Sequence, residues 1–269
     1  MAFIYRTIRY IGIHLFGNPK YFFSYGLAYF SPRYQLQVDF YTKEETKKLI
    51  EEGKSLIRFG DGEIYMMNFG SIHYQTYHPA IRKTFFDIVR SYTNSGPYIV
   101  CINELVMNKS NQELKQEGVF HCWLPMKVYY NLYFPKHIKY VDASLFYYKD
   151  SFKEVLEDYL LDKHVIYMTR KDTLQYIANN PLIPFKSVTY IDTGSVNAYD
   201  RYEELNQKLE QALHRVPQGK KPVVLIACAQ AGKMLVYKWS KKGLQMLDIG
   251  VGLEIMYTEK SLDYMLMKR

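Results

Sequence analysis

Two carboxylates with one glycine between them, Asp61 and Glu63, close the stretch SLIRFGDGE, Ser55 to Glu63. Leu56, Ile57 and Phe59 supply the apolar run of a buried strand, and Gly60 and Gly62 are turn formers. Both acids therefore fall where a strand gives way to the next element. In an open α/β sheet that edge, outside the carboxyl ends of the strands, is where ligands bind. Carboxylates at this spacing can both turn toward one hard cation, Mn2+ or Mg2+, which keeps open positions for phosphate oxygens. Such an ion would neutralise a nucleotide-diphosphate leaving group as a Lewis acid. A polar turn with solvated acids is the competing reading. Arg58 either anchors the turn by pairing with one of its acids or contacts a phosphate.

Two further strand ends carry polar groups ahead of a helix. In YIDTGSVNAY, Tyr190 to Tyr199, Asn197 stands beside the small Ala198, which leaves room for a flat base next to Tyr199. In LIACAQAGK, small residues lead to Lys233, a phosphate contact or a surface helix residue. Asp142 reads as a helix cap or as the base on an acceptor hydroxyl. Asp248, inside MLDIG, is a buried structural acid or a site group. Other chemistries lack their patterns. Around AQAGKM, Ala227 and Met234 stand where a phosphate loop needs Gly and Ser or Thr, and neither GxGxxG nor GxSxG occurs in a fitting place. His73 and His78 are spaced wrongly for one helical face. Cys101, Cys122 and Cys228 form no CxxC, so a disulfide framework and a structural zinc are not expected and a cytosolic setting fits.

The elements that must position these residues alternate from Tyr41 onward. Thr42 and Glu45 stand at capping-box spacing before a helix that stops at Gly53. YIVCI, HVIYMT, SVTYID, PVVLIAC and LQMLDI read as strands, and AIRKTFFDIVRSY, RYEELNQKLEQALHRV and AGKMLVYKWSKKG as helices. Residues from Asn103 to Asp150 are less regular, with a helix over MKVYYNLYF and a strand end at IKYVDA. Strands alternating with helices imply βαβ units, hence one Rossmann-like α/β domain with a mainly parallel sheet over residues 40–269. Residues 1–39 form a basic, aromatic helical appendage with Arg6, Arg9, Lys20 and Arg33 and no acid before Asp39. Its apolar runs are too broken to span a bilayer. It fits a peripheral contact with the inner face of a membrane, or a helix packed on the domain or on another subunit. The net charge of +8 favours anionic partners, and no nucleic-acid-binding signature is present.

Together these motifs resemble the GT-D-type bacterial glycosyltransferases, a Rossmann-like nucleotide-sugar transferase family. Arg58 to Glu63 matches that family's Arg-Phe-Gly-Asp-Gly-Glu stretch unaltered; Asp142-Ala143, Asn197-Ala198-Tyr199 and Leu247 to Gly250 resemble its later motifs. The resemblance runs from Lys47 to Tyr257. It implies that Asp61 and Glu63 are the metal-binding Asp-X-Glu pair. CAQAGK replaces the Gly-Pro-Thr-Ala of many members, Gly250-Val251 replaces Gly-His, and RKDTLQY replaces an Arg-Gly-rich stretch. These departures bear on donor contacts and leave the metal pair intact. The implied activity is metal-dependent transfer of a sugar from a nucleotide diphosphate, a UDP-sugar, to a hydroxyl of a glycan, lipid-linked glycan or glycoprotein in surface glycoconjugate synthesis. Arg58, Asn197, Ala198 and Lys233 would bind the donor, and Asp142 and Asp248 would be the acids at the reacting end. Two other classes compete: a phosphotransferase or nucleotide hydrolase using the same carboxylates, and a non-catalytic nucleotide-binding assembly subunit.

Overall fold

The computed structural model of the chain describes residues 17–258. Arg6 and Arg9 of the basic N-terminal stretch lie outside the described residues. The first half runs α1 (Pro19–Tyr29), β1 (Asp39–Phe40), α2 (Lys43–Glu51), β2 (Ser55–Arg58), α3 (Asp61–Met67), α4 (Pro79–Arg90), β3 (Tyr98–Ile102), α5 (Glu104–Met107), α6 (Asn111–Gln116), α7 (Phe120–Tyr133) and β4 (Lys139–Asp142). The second half runs α8 (Lys149–Leu160), β5 (His164–Thr169), α9 (Lys171–Asn179), β6 (Val188–Asp192), α10 (Tyr202–His214), β7 (Pro222–Ile226), α11 (Ala229–Ser240), β8 (Gln245–Asp248) and α12 (Gly252–Thr258). Short 3-10 turns occupy Leu145–Tyr147 and Ala198–Arg201.

The strands form one sheet in the order β1-β4-β3-β2-β8-β7-β5-β6. All the pairings are parallel. A parallel sheet is covered on both faces, so its inner strands are continuous apolar runs rather than alternating ones. β3 is buried along its whole length, as are Val165 to Met168 of β5 and Val223 to Ile226 of β7. Right-handed crossovers then sort the helices by the direction each connection takes. Connections running from β1 to β2, β4 to β5 and β5 to β6 put α2, α8 and α9 on one face. The opposite direction puts α4, α7, α10 and α11 on the other. The observed packing of α2 on α8, α9 on α12, and α4 on α11 agrees.

This sorting fixes the site. After β2 the chain turns to the face of α3 and α4; after its neighbour β8 it turns to the opposite face, where α12 packs on α9. Adjacent strands whose connections leave in opposite directions open a crevice at their carboxyl ends. Central strands β2 and β8 pair at Leu56 and Leu247, so the crevice falls mid-sheet.

Local signals carry most of the framework. Thr42 Oγ1 accepts the Glu45 N–H at 3.1 Å and Glu45 Oε2 accepts the Thr42 N–H at 2.8 Å, which completes the expected capping box. The stretch from Asn103 to Asp150 is more ordered than expected. α7 begins at Phe120 and carries Pro125 inside it. Proline removes a donor and reads as a helix boundary, but burial of Phe120 and Leu124 carries the helix through it.

α1 packs on α7. Asn18 Nδ2 donates to Tyr129 Oη at 3.0 Å, Tyr133 Oη donates to Asn18 Oδ1 at 2.6 Å, and Asn111 Nδ2 donates to the Ala28 carbonyl at 2.7 Å. Tyr21 and Ala28 are buried on that side. The other side of α1 and the residue that caps it present Phe23, Leu27 and Phe30 to solvent, 62%, 78% and 83% exposed.

Candidate active site

Extended Gly60 is the N-cap of α3, and its N–H donates to Glu63 Oε2 at 2.7 Å. Glu63 thereby folds back over the turn and is buried, while Asp61 is half-buried at the start of the helix. Gly62 is required for space. A Cβ there would stand 3.2 Å from Tyr74 Oη and 3.3 Å from Ile72 Cδ1.

Beneath the turn lies a buried ion network. Lys233 Nζ is 3.1 Å from Asp248 Oδ2 and 3.3 Å from Glu63 Oε1. Asp248 also accepts the N–H groups of Arg58 and Gly250, each at 3.1 Å. The Arg58 guanidinium donates to the Ile249 carbonyl at 2.8 Å and to Tyr147 Oη, and it lies 4.8 Å from the centre of the Tyr147 ring. Burial pulls the Lys233 ammonium toward a lower pKa, but Asp248 and Glu63 more than reverse this and hold it above the ordinary lysine value. Lys233 thus bridges Glu63 and Asp248, while the Arg58 guanidinium turns to Ile249 and Tyr147 and only its backbone N–H meets Asp248.

The segment after α3 forms a strap over the carboxyl edge. Ile72 and Gln75 pair as an antiparallel bridge. At its far end the Asn197 N–H donates to the Tyr74 carbonyl at 2.8 Å and the Thr76 N–H donates to Asn197 Oδ1 at 2.9 Å. The Tyr199 N–H donates to Gln75 Oε1 at 3.1 Å. The strap therefore reaches from the β2 side to the loop after β6, passing the ends of β8, β7 and β5. His78 caps α4 by accepting the Ala80 N–H, and its ring lies 4.6 Å from that of Tyr199.

The structure brings Arg58, Asp61, Glu63, Lys233 and Asp248 together and places the others apart. Lys233, 5% exposed, is not a surface residue. Arg58 binds a backbone carbonyl and a tyrosine, and it reaches the acidic turn only through Asp248. Asn197, in the left-handed region with φ 47°, joins two loops, and Ala198 is buried beside it. Asp142 serves as a loop cap: its Oδ1 accepts the Glu104 and Ser144 N–H groups, each at 3.1 Å, and its Oδ2 accepts the Ser144 hydroxyl. It stands at the end of β4, two strands from β2.

Sequence reasoning missed Tyr147, Gln75 and Gln230. Gln230, the third residue of CAQAGK, is fully buried, and neither its Nε2 nor its Oε1 has a hydrogen-bond partner among the described residues. Its Nε2 would lie 3.6 Å from a Cβ on Gly62. Orphaned buried polar groups cost about 1–3 kcal/mol each. Nothing in the local pattern marks this residue, because its setting is made by a strand and a strap distant in sequence.

Residues 56–257 match the model of the family described as Glycosyltransferase GT-D fold. The chain belongs to this family. Among curated relatives, the probable glycosyl transferase Gly of Streptococcus gordonii is 21% identical over 212 residues, 75% of this chain and 30% of that protein. Glycosyltransferase GlyD of Streptococcus pneumoniae is 24% identical over 214 residues, 75% of this chain and 25% of that protein. The chain thus spans less than a third of the length of either relative. Among solved structures, a new glycosyltransferase (DUF1792) from Streptococcus sanguinis superposes with a TM-score of 0.67 at 21% identity, covering 83% of this chain and 86% of that one. Another, described as a domain of unknown function 1792 with a distinct glycosyltransferase fold, gives a TM-score of 0.66 at 19% identity, covering 89% and 86%. The all-parallel α/β architecture is the GT-D fold. Among the described residues no cluster of three or more His, Cys, Asp and Glu side chains is arranged to hold a metal. No helix among them is long and apolar enough to cross a membrane.

Proposed function

We propose that this GT-D glycosyltransferase moves a sugar from a UDP-sugar to a hydroxyl of a glycan, lipid-linked glycan or glycoprotein, using Mn2+ or Mg2+ held by Asp61 and Glu63. The supporting observation is the acidic turn itself, at the mid-sheet crevice, with Asp61 and Glu63 one residue apart at the carboxyl end of β2. A diphosphate would be repelled there unless a cation accompanied it. The donor set fits such an ion. Each carboxylate oxygen has more than one acceptor position, so Glu63 can keep its Gly60 and Lys233 contacts, and a two-carboxylate site suits an ion that shares its remaining positions with phosphate oxygens. When bound, the ion would stabilise negative charge on the departing diphosphate.

The chain's own residues then have distinct tasks. Lys233 and the Gly60 N–H fix the Glu63 carboxylate. Asp248 positions Lys233 and the β2 backbone, and acts through them. Asn197 and Ala198 shape the β6 end of the crevice, where the base would lie, and Asp142 shapes the β4 end, toward the acceptor. Asp61→Asn is the cleaner test, because Glu63→Gln would also disturb Lys233. Calorimetry should show UDP affinity in Mn2+ falling by at least about tenfold, 1.4 kcal/mol, with the melting temperature of the ligand-free protein nearly unchanged. Equal Mn2+-dependent affinity in both proteins would reject the metal assignment.

A peripheral membrane contact at a cytoplasmic face belongs to the same proposal. It is supported by the exposed Phe23, Leu27 and Phe30 of α1 and by the exposed Lys20 and Arg33 near them. Replacing Phe23, Leu27 and Phe30 together by Ser should release the full chain from phosphatidylserine vesicles in flotation assays. Retention of the variant, or binding unaffected by salt, would argue against it.

A further inference from the structure

We infer that Gln230 selects the donor sugar, its carboxamide hydrogen-bonding a pair of hydroxyls on the pyranose ring. This inference rests on the UDP-sugar reading of the crevice. Gln230 lies at the start of α11, three residues before Lys233, which binds both Glu63 and Asp248. Its amide sits under Gly62, the residue between the two acids, and is wholly buried with both polar atoms unpartnered. A core needing only volume there would be served by Leu or Met. A carboxamide at this place offers one acceptor and one donor group, fixed relative to each other.

The chemistry of the partner follows from those two atoms. A phosphate offers acceptors alone and would leave Oε1 unsatisfied. A base would lie toward Asn197, at the far end of the strap. A sugar hydroxyl both donates and accepts, so neighbouring hydroxyls of a hexose match the amide. The sugar is joined to the diphosphate, hence belongs beside Asp61 and Glu63, where Gln230 stands. Ile72 and Tyr74 of the strap cover Gly62, so donor entry requires that part of the strap to lift. Three hydrogen bonds join it to the Asn197 loop. Sites built to hydrogen-bond a substrate hydroxyl discriminate far more strongly than apolar pockets do.

The test uses the full chain, with UDP-glucose, UDP-galactose, UDP-N-acetylglucosamine, UDP-N-acetylgalactosamine and UDP alone, in Mn2+. Thermal stabilisation and donor hydrolysis are read for wild type, Gln230→Met and Gln230→Leu; Met keeps the volume should Leu fail to fold. Wild type should prefer one hexose. In the variants that preference should flatten by about 10-fold or more, while stabilisation by UDP stays within twofold and the ligand-free melting temperature is unchanged or higher. Variants that keep the full wild-type preference overturn the assignment of Gln230 and leave the donor reading intact. Loss of UDP stabilisation together with the preference in a folded variant also overturns it, since the role would then be general. A wild type stabilised by none of these nucleotides overturns the donor reading, and this inference with it.

Discussion

Lys233→Met is expected to lower the unfolding free energy by about 3–5 kcal/mol at neutral pH. The substitution keeps most of the side-chain volume and removes only the ammonium. Glu63 and Asp248 then remain in the interior without the cation 3.3 Å and 3.1 Å away that balances them. Removing one partner of a buried ion network is costly because the uncompensated charges stay behind, whereas replacing the whole network by apolar groups need not be. Against a typical total of about 5–15 kcal/mol, the loss would be large. Urea denaturation at pH 7 measures it, with Asp61→Asn as the half-buried comparison, expected to cost under about 1 kcal/mol. The pH dependence follows from the direction of the Lys233 shift. A group whose pKa is raised on folding contributes fully below its unfolded value, near 10.4, and loses that contribution as the pH climbs through the folded value. The gap between wild type and Lys233→Met should therefore be the same at pH 6 and pH 9 and narrow only in strong alkali. A loss below about 1 kcal/mol would mean that Lys233 does not hold the network.

Gly250→Ala should cost nearly as much, for a different reason. Gly250 has φ 55°, and a Cβ built on it would overlap Arg58 Nη1 and approach Cζ to 3.0 Å. The left-handed backbone alone costs an L-residue about 1–2 kcal/mol. Displacing the guanidinium from the Ile249 carbonyl adds about 1.5–3 kcal/mol for a charged hydrogen bond. Gly219→Ala separates the two contributions, since Gly219 has φ 78° and open space where its Cβ would go. Melting curves should show Gly250→Ala losing clearly more than Gly219→Ala. Equal losses would mean that Arg58 yields without cost and that the glycine serves only the backbone.

Features set by near neighbours were legible in the sequence. Thr42 and Glu45 announce α2 because a capping box closes within four residues, and the parallel sheet is legible because its strands are apolar on both faces. The Asp61–Glu63 turn was legible for a similar reason, a strand followed by glycines. The partners of that turn were not. Lys233 sits in a helical pattern that reads the same for a surface lysine as for a buried one, and only the arrival of β8 beside β2 buries it. Arg58 offered no hint that its guanidinium would go to Ile249 and Tyr147, since neither is charged. Asp142 could have been a cap or a base from sequence; its hydrogen bond to Ser144 is local, but the one to Glu104, 38 residues away, depends on how β3 and β4 pair. Gln230 is the extreme case, an amide whose isolation is created wholly by tertiary structure.

The position of β8 next to β2 also sets when the site can come into being. Arg58 and Asp248 are bonded partners 190 residues apart in the chain. At about 5–20 residues per second of synthesis, β2 waits roughly 10–40 s for its second neighbour. Until then one long edge of the central strand is an unpaired apolar template, open to wrong pairing or to chaperones. Non-local parallel pairing of this kind folds slowly because loop closure must precede its reward. Closing the sheet and assembling the acidic turn with its lysine are consequently one event, and a nascent chain holding both acids of the turn still lacks the Glu63–Lys233–Asp248 network until β8 docks.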